Sequence, residues 1–100
     1  MNVEELKQKI VKREQSMRTF KLMETRYQAL QKNIEDYGEK CVVLNVTFSS
    51  PAEILSFGLE GMPSITADVL AKAIGESIAT LHRYIEGIEN DLKGIVEFTD

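Results

Sequence analysis

From Val3 onward the apolar residues recur at alternating spacings of three and four, through Leu6, Ile10, Met17, Phe20, Tyr27, Leu30 and Ile34. That period places them along one side of an α-helix. Residues 2–37 contain no Pro or Gly and are rich in Glu, Lys, Gln, Arg, Leu and Met, and Gly38 then supplies a stop. At about 1.5 Å per residue the helix predicted over 2–37 is roughly 54 Å long. Arg13 and Glu24 interrupt the apolar seam.

The pattern changes after Lys40. Cys41, Val42, Val43, Leu44, Asn45, Val46, Thr47 and Phe48 form a β-branched and apolar run suited to a half-buried strand. Ser49, Ser50 and Pro51 read as a turn, and a second short apolar run covers 54–59. A β-hairpin over about 41–59 is expected, with Gly58 as a weak point or bulge. The competing reading is a single strand followed by a loop over 49–63.

Gly61, Met62 and Pro63 end that region, and Ser64 or Thr66 can cap a second helix over about 66–92. Asp68 falls in its first turn, near the positive end of the helix dipole. Its large apolar stripe is Leu70, Ile74, Ile78, Leu81, Ile85, Ile88 and Leu92. Beside it Ala67, Ala71, Gly75 and Ala79 form a stripe of small residues at four-residue spacing, open to close approach by another backbone. Gly87 costs about 1 kcal/mol of helix propensity and is a point where the helix weakens or bends. Gly94 ends the helix and leaves residues 94–100 as a tail or a short strand.

The fold class that follows is α+β and mainly helical, with a long amphipathic helix, a β-hairpin and a second long amphipathic helix. The helices are expected to fold back as an antiparallel, coiled-coil-like helical hairpin, in one domain spanning residues 1–100. This order of elements resembles the layout of prefoldin-type chaperone subunits. The resemblance rests on layout, with no motif behind it, and implies an oligomer that grips client chains with its helix tips.

If the connected helix ends are aligned, the first helix overhangs the second by about ten residues, or roughly 15 Å. Val3, Leu6 and Ile10 lie in that overhang and are the expected self-association residues, because an uncovered apolar stripe normally marks an interface. Cover by the tail residues Ile95, Val96 and Phe98 is the alternative. A symmetric homodimer is the first expectation for the assembly.

Charge sharpens the picture. The chain has 12 basic and 16 acidic residues, but they are separated along it. Over residues 7–32 eight basic residues face only Glu14 and Glu24, a net of +6. From Cys41 onward Lys72, Arg83 and Lys93 stand against nine acids, a net of −6. Complementary helix faces account for this by setting the register of an antiparallel pair. The functional reading is that part of the basic stripe meets an anion. Arg13 is the most pointed case: a seam arginine needs an acceptor, either an acid from the second helix or a ligand. Met17, Arg18, Lys21, Arg26 and Tyr27 lie along the same helix, and a tyrosine among basic groups can stack on a base. Core packing is the plainer role for Met17 and Tyr27.

The remaining chemistry is sparse. His82 and Cys41 are the only histidine and cysteine, so an internal disulfide is impossible and no cluster of metal ligands is expected. Spacing allows a dyad between them, yet a cysteine in such a run usually packs as a small apolar residue and His82 borders an apolar stripe. The glycines fit neither a phosphate loop nor a dinucleotide motif. No enzyme, cofactor or metal is expected. Duplex DNA is disfavoured by a net charge of −4 and the lack of a recognisable recognition helix. The charged, periodic start MNVEELKQKI is unlike a signal peptide and no run is long enough for a membrane span, which places the chain in the cytoplasm.

The leading expectation is a non-enzymatic oligomeric protein that binds another protein. Accessory and inhibitor proteins of phages and mobile elements are often compact, motif-free chains of this kind. The alternative is capture of a nucleotide-like anion between subunits by Arg13, Arg18, Lys21, Arg26 and Tyr27.

Overall fold

The computed structural model describes residues 1–59 and 66–98. Helix α1 spans Val3–Tyr37, strands β1 and β2 span Asn45–Ser49 and Ile54–Gly58, and helix α2 spans Ala67–Leu92. The two long helices pack together with the antiparallel β-hairpin between them in sequence.

Local signals account for the helix ends. The Asn2 side-chain oxygen accepts a hydrogen bond from the Glu5 amide at 2.8 Å, while its NH2 donates to the Glu5 carboxylate at 3.2 Å. This pairing satisfies one orphan donor of the first turn, and Glu4 and Glu5 favour the positive end of the dipole. Gly38, at φ 55°, closes α1 and leads into a single 3-10 turn over Gly38–Lys40. Thr66 caps α2 by accepting from the Val69 amide at 3.5 Å. The other expected cap, Ser64, and the breaker Gly61, Met62 and Pro63 lie outside the described residues.

The helices run antiparallel in a steady register. Arg13 meets Glu89, Phe20 meets His82 and Tyr27 meets Gly75, so each step up α1 is matched by one down α2. Extending that register sets Ala67 opposite about residue 35 of α1 and Leu92 opposite about Ile10. The connected ends are therefore not flush. The free overhang of α1 is about seven residues, roughly 10 Å at the helical rise, and shorter than the sequence suggests.

Burial along α2 is uneven. Ala67 and Ala71 are buried near its start, and Ile85, Ile88 and Leu92 near its end. Ile74, Ile78 and Leu81 are half-buried and Leu70 is exposed. Among the small residues, Gly75 admits Tyr27 so closely that an added Cβ would lie 3.1 Å from its hydroxyl oxygen. Ala79 of the same stripe is exposed. Gly87 lies within the continuous helix and does not end it.

The hairpin strand begins later than the run that predicts it. Cys41 to Leu44 precede the ladder, with Val42 forming an isolated bridge to Thr66 that ties the hairpin base to the start of α2. Gly58 sits in regular register opposite Asn45, so the expected bulge is absent there. Neither strand packs against either helix. The result is a long, flat molecule, with extents of 54 × 36 × 16 Å. Beyond α2 the chain turns at Gly94, φ 82°, and no strand forms among residues 93–98.

Candidate functional site

Two surfaces combine exposure with chemistry. The first is the hairpin. Its turn is built by Ser50, whose hydroxyl accepts from the Ala52 and Glu53 amides at 3.3 and 3.2 Å and whose own amide donates to the Glu53 carbonyl at 2.9 Å. Pro51, with its fixed φ, sits at the corner. The pairing Val46 to Phe57 and Phe48 to Leu55 then puts four large apolar side chains on one face. Leu44 extends that face, its carbonyl accepting from the Leu59 amide at 2.8 Å. The opposite face pairs Asn45 with Gly58, Thr47 with Ser56 and Ser49 with Ile54, and the Thr47 and Ser56 hydroxyls lie 3.1 Å apart.

The hairpin therefore has an apolar face and a mostly polar one, as half-buried strands do, and the apolar face is buried at its base, at Leu59, but exposed over the rest of its length. Phe48 is 58% exposed, Phe57 52% and Leu44 64%. The run suited to a half-buried strand was legible in the sequence, whereas its exposure is a property of how the chain is arranged.

The second surface is a groove of about 710 Å³ between α1 and the chain after α2. Ile10, Arg13, Met17, Arg18 and Lys21 line it from α1 and Val96 and Phe98 from the other side, with the carboxylates Glu14 and Glu97 also on its walls. Arg13 is buried there, with its Nε 3.7 Å from a Glu89 carboxylate oxygen and its guanidinium 3.9 Å from the centre of the Phe98 ring. An acid of α2 thus meets the seam arginine, and an aromatic ring covers it. One turn away Lys9 pairs with Asp91 at 2.9 Å. At this end the basic helix and the acidic helix complement each other directly.

The six residues singled out along α1 divide. Arg13, Met17, Arg18 and Lys21 share the groove. Tyr27 faces α2, where its hydroxyl accepts from the Gln31 amide nitrogen at 3.0 Å and abuts Gly75. Arg26, one residue earlier, is exposed. Of the three overhang residues, Val3 is exposed, Leu6 is half-buried, and Ile10 lines the groove with Val96 and Phe98. Phe98 stacks on Arg13 and so turns back along α1, away from Val3. Sequence reasoning passed over the hairpin as a binding surface and Phe98 as the partner of Arg13.

Cys41 and His82 sit far apart. The Cys41 thiol donates to the Asn33 carbonyl at 3.2 Å, while the His82 ring lies 5.5 Å from that of Phe20 and its Nδ1 is 3.3 Å from Glu86. Phe20 and Asn33 are about 20 Å apart along α1 at the helical rise, so the two groups do not form a dyad. Among the described residues no three His, Cys, Asp or Glu side chains cluster to hold a metal ion, and no helix is long and apolar enough to cross a membrane. No match is found among protein-family models, known proteins or solved structures.

Proposed function

We propose that this chain is a non-enzymatic interaction protein of the cytoplasm that acts as an oligomer and binds another protein. One observation carries the reading: the single chain leaves too much of itself in water. Its accessible surface is 7931 Å², where a compact monomer of 11.3 kDa exposes about 5,700 Å² by the usual scaling with mass. Its radius of gyration is 17.9 Å, against about 13 Å for a compact chain of this length. The excess surface includes the apolar face of the hairpin and Val3 at the free end of α1. Exposed apolar area of this extent is characteristic of interfaces.

Light scattering on a size-exclusion column, at low and high salt, tests this. A mass of two or more chains at both salts is expected, because the contact surfaces are apolar. A single chain at both salts overturns the oligomeric reading. Leu6→Asp asks separately whether the free end of α1 takes part.

A second reading, capture of a nucleotide-like anion, is favoured specifically by the convergence of Arg13, Arg18 and Lys21 on one groove. A ligand that binds only the folded chain must raise its melting temperature. An unchanged melting temperature across a panel of nucleotides and inorganic phosphate rules this reading out.

A further inference from the structure

We infer that the apolar face of the hairpin is a two-fold interface, on which the same face of a second copy of this chain packs. The inference rests on the oligomeric reading above and names the surface that makes it.

Leu44, Val46, Phe48, Leu55 and Phe57 are each exposed. At roughly half exposure, with about 150–250 Å² for each phenylalanine and less for the three aliphatic side chains, they leave on the order of 400–500 Å² of apolar surface in water. Two such faces bury up to about 1,000 Å² between them, the threshold for a specific interface, with the flanking strand surface adding to it. The face thus has the size for a copy of itself.

Its charge points the same way. Between Cys41 and Leu59 the only charged side chain is Glu53, which sits in the turn. A two-fold contact places each group against its own equivalent or a near neighbour, so a charged patch repels itself and an uncharged apolar one does not. The chain around it is built to be covered. Both strands are edge strands, and neither carries the Lys, Pro or inward charge that usually guards an exposed edge. A two-stranded hairpin is also marginal in water by itself, and packing a second sheet on its apolar face at about 10 Å supplies the missing layer. Geometry permits the approach, because neither strand packs against a helix and the molecule is only 16 Å thick in its shortest dimension.

The test uses the full chain and three single substitutions, Phe48→Glu, Phe57→Glu and Ile54→Glu, followed by sedimentation velocity across a concentration series. Ile54 pairs with Ser49 on the polar face, so it receives the same charge in the same hairpin on the opposite side. A dimer is expected for the unsubstituted chain and for Ile54→Glu. Phe48→Glu and Phe57→Glu are expected to weaken association about a hundredfold or more, as burying an unpaired charge does. Helical circular dichroism should stay unchanged in all three.

A dimer that survives both phenylalanine substitutions, or one that Ile54→Glu disrupts equally, overturns the inference. So does a monomeric unsubstituted chain. Two further readouts then separate its failure from that of the oligomeric reading. A dimer lost only on Leu6→Asp keeps the oligomer and moves the contact to α1. A monomer that binds an apolar fluorescent dye, and loses that binding on Phe57→Glu, shows the face open to a different partner. A monomer with no dye binding ends both readings.

Discussion

Leu92→Ala is the sharpest test of where the stability of the helical pair resides. Leu92 is 0% exposed at the last position of α2, and its carbonyl accepts from the amides of Ile95 and Val96 at 3.0 and 3.1 Å. Truncation removes buried methyl groups and leaves a cavity, which costs about 2–5 kcal/mol in well-packed cores. Here the helices form a single layer, so the surroundings can close partly over the gap, and about 2–3 kcal/mol is expected. Leu70, on the same predicted stripe, is 37% exposed, and Leu70→Ala should cost less than about 1 kcal/mol. With a urea slope of about 1–2 kcal/mol per molar, the Leu92 variant loses roughly 1–3 M in midpoint and the Leu70 variant a small fraction of that. Both are measured by urea titration of helical circular dichroism at one fixed protein concentration, since association shifts apparent stability. Equal midpoint losses for the two would refute the placement of the core at the far end of α2.

Other outcomes follow from single contacts. Arg13→Ala removes the ion pair to Glu89, the stacking over Phe98 and the packing of a buried stem, and should cost about 2–3 kcal/mol by the same titration. Arg18→Ala, in the same groove but exposed, should stay within about 0.5 kcal/mol. Gly87→Ala should stabilise the chain by up to about 1 kcal/mol, because nothing lies within 4 Å of the added methyl group. Gly75→Val should lower the melting temperature instead, since even its Cβ meets the Tyr27 hydroxyl at 3.1 Å. Asn2→Ala should cost about 1 kcal/mol through loss of the cap on α1, read as earlier fraying by amide exchange of the first turn.

Signals confined to neighbouring residues were the legible ones. Gly38 after an unbroken helical run, Ser50 and Pro51 between two apolar runs, and Thr66 ahead of an apolar period each act within a few residues, and each marks a boundary in the fold. Periodicity also identified Arg13 as a charged residue on a seam. It carried no information on what faces a given stripe. Leu70 and Leu92 look equivalent by spacing, yet differ because α2 starts where α1 is ending and finishes beside Ile10 and the returning tail. Arg26 and Tyr27 are adjacent in sequence but about 100° apart around a helix, so one points into water while the other meets Gly75. The contact between Phe98 and Arg13 depends on the chain reversing at Gly94, which no local pattern specifies. Gly58 reads as a bulge by composition, but its pairing with Asn45 needs only extended backbone.

The separation of the hairpin from the helices bears on how concentration governs folding. A two-stranded ribbon that packs against neither helix opens at little free-energy cost, so its amides should exchange with solvent well before those of the helical pair. The helical pair, held by Ile85, Ile88 and Leu92, keeps its protection regardless. Under the proposed two-fold contact, order in residues 45–58 would gain a concentration dependence, strengthened when chains meet and weakened when they are diluted. Expression level would then tune how firmly that ribbon is held.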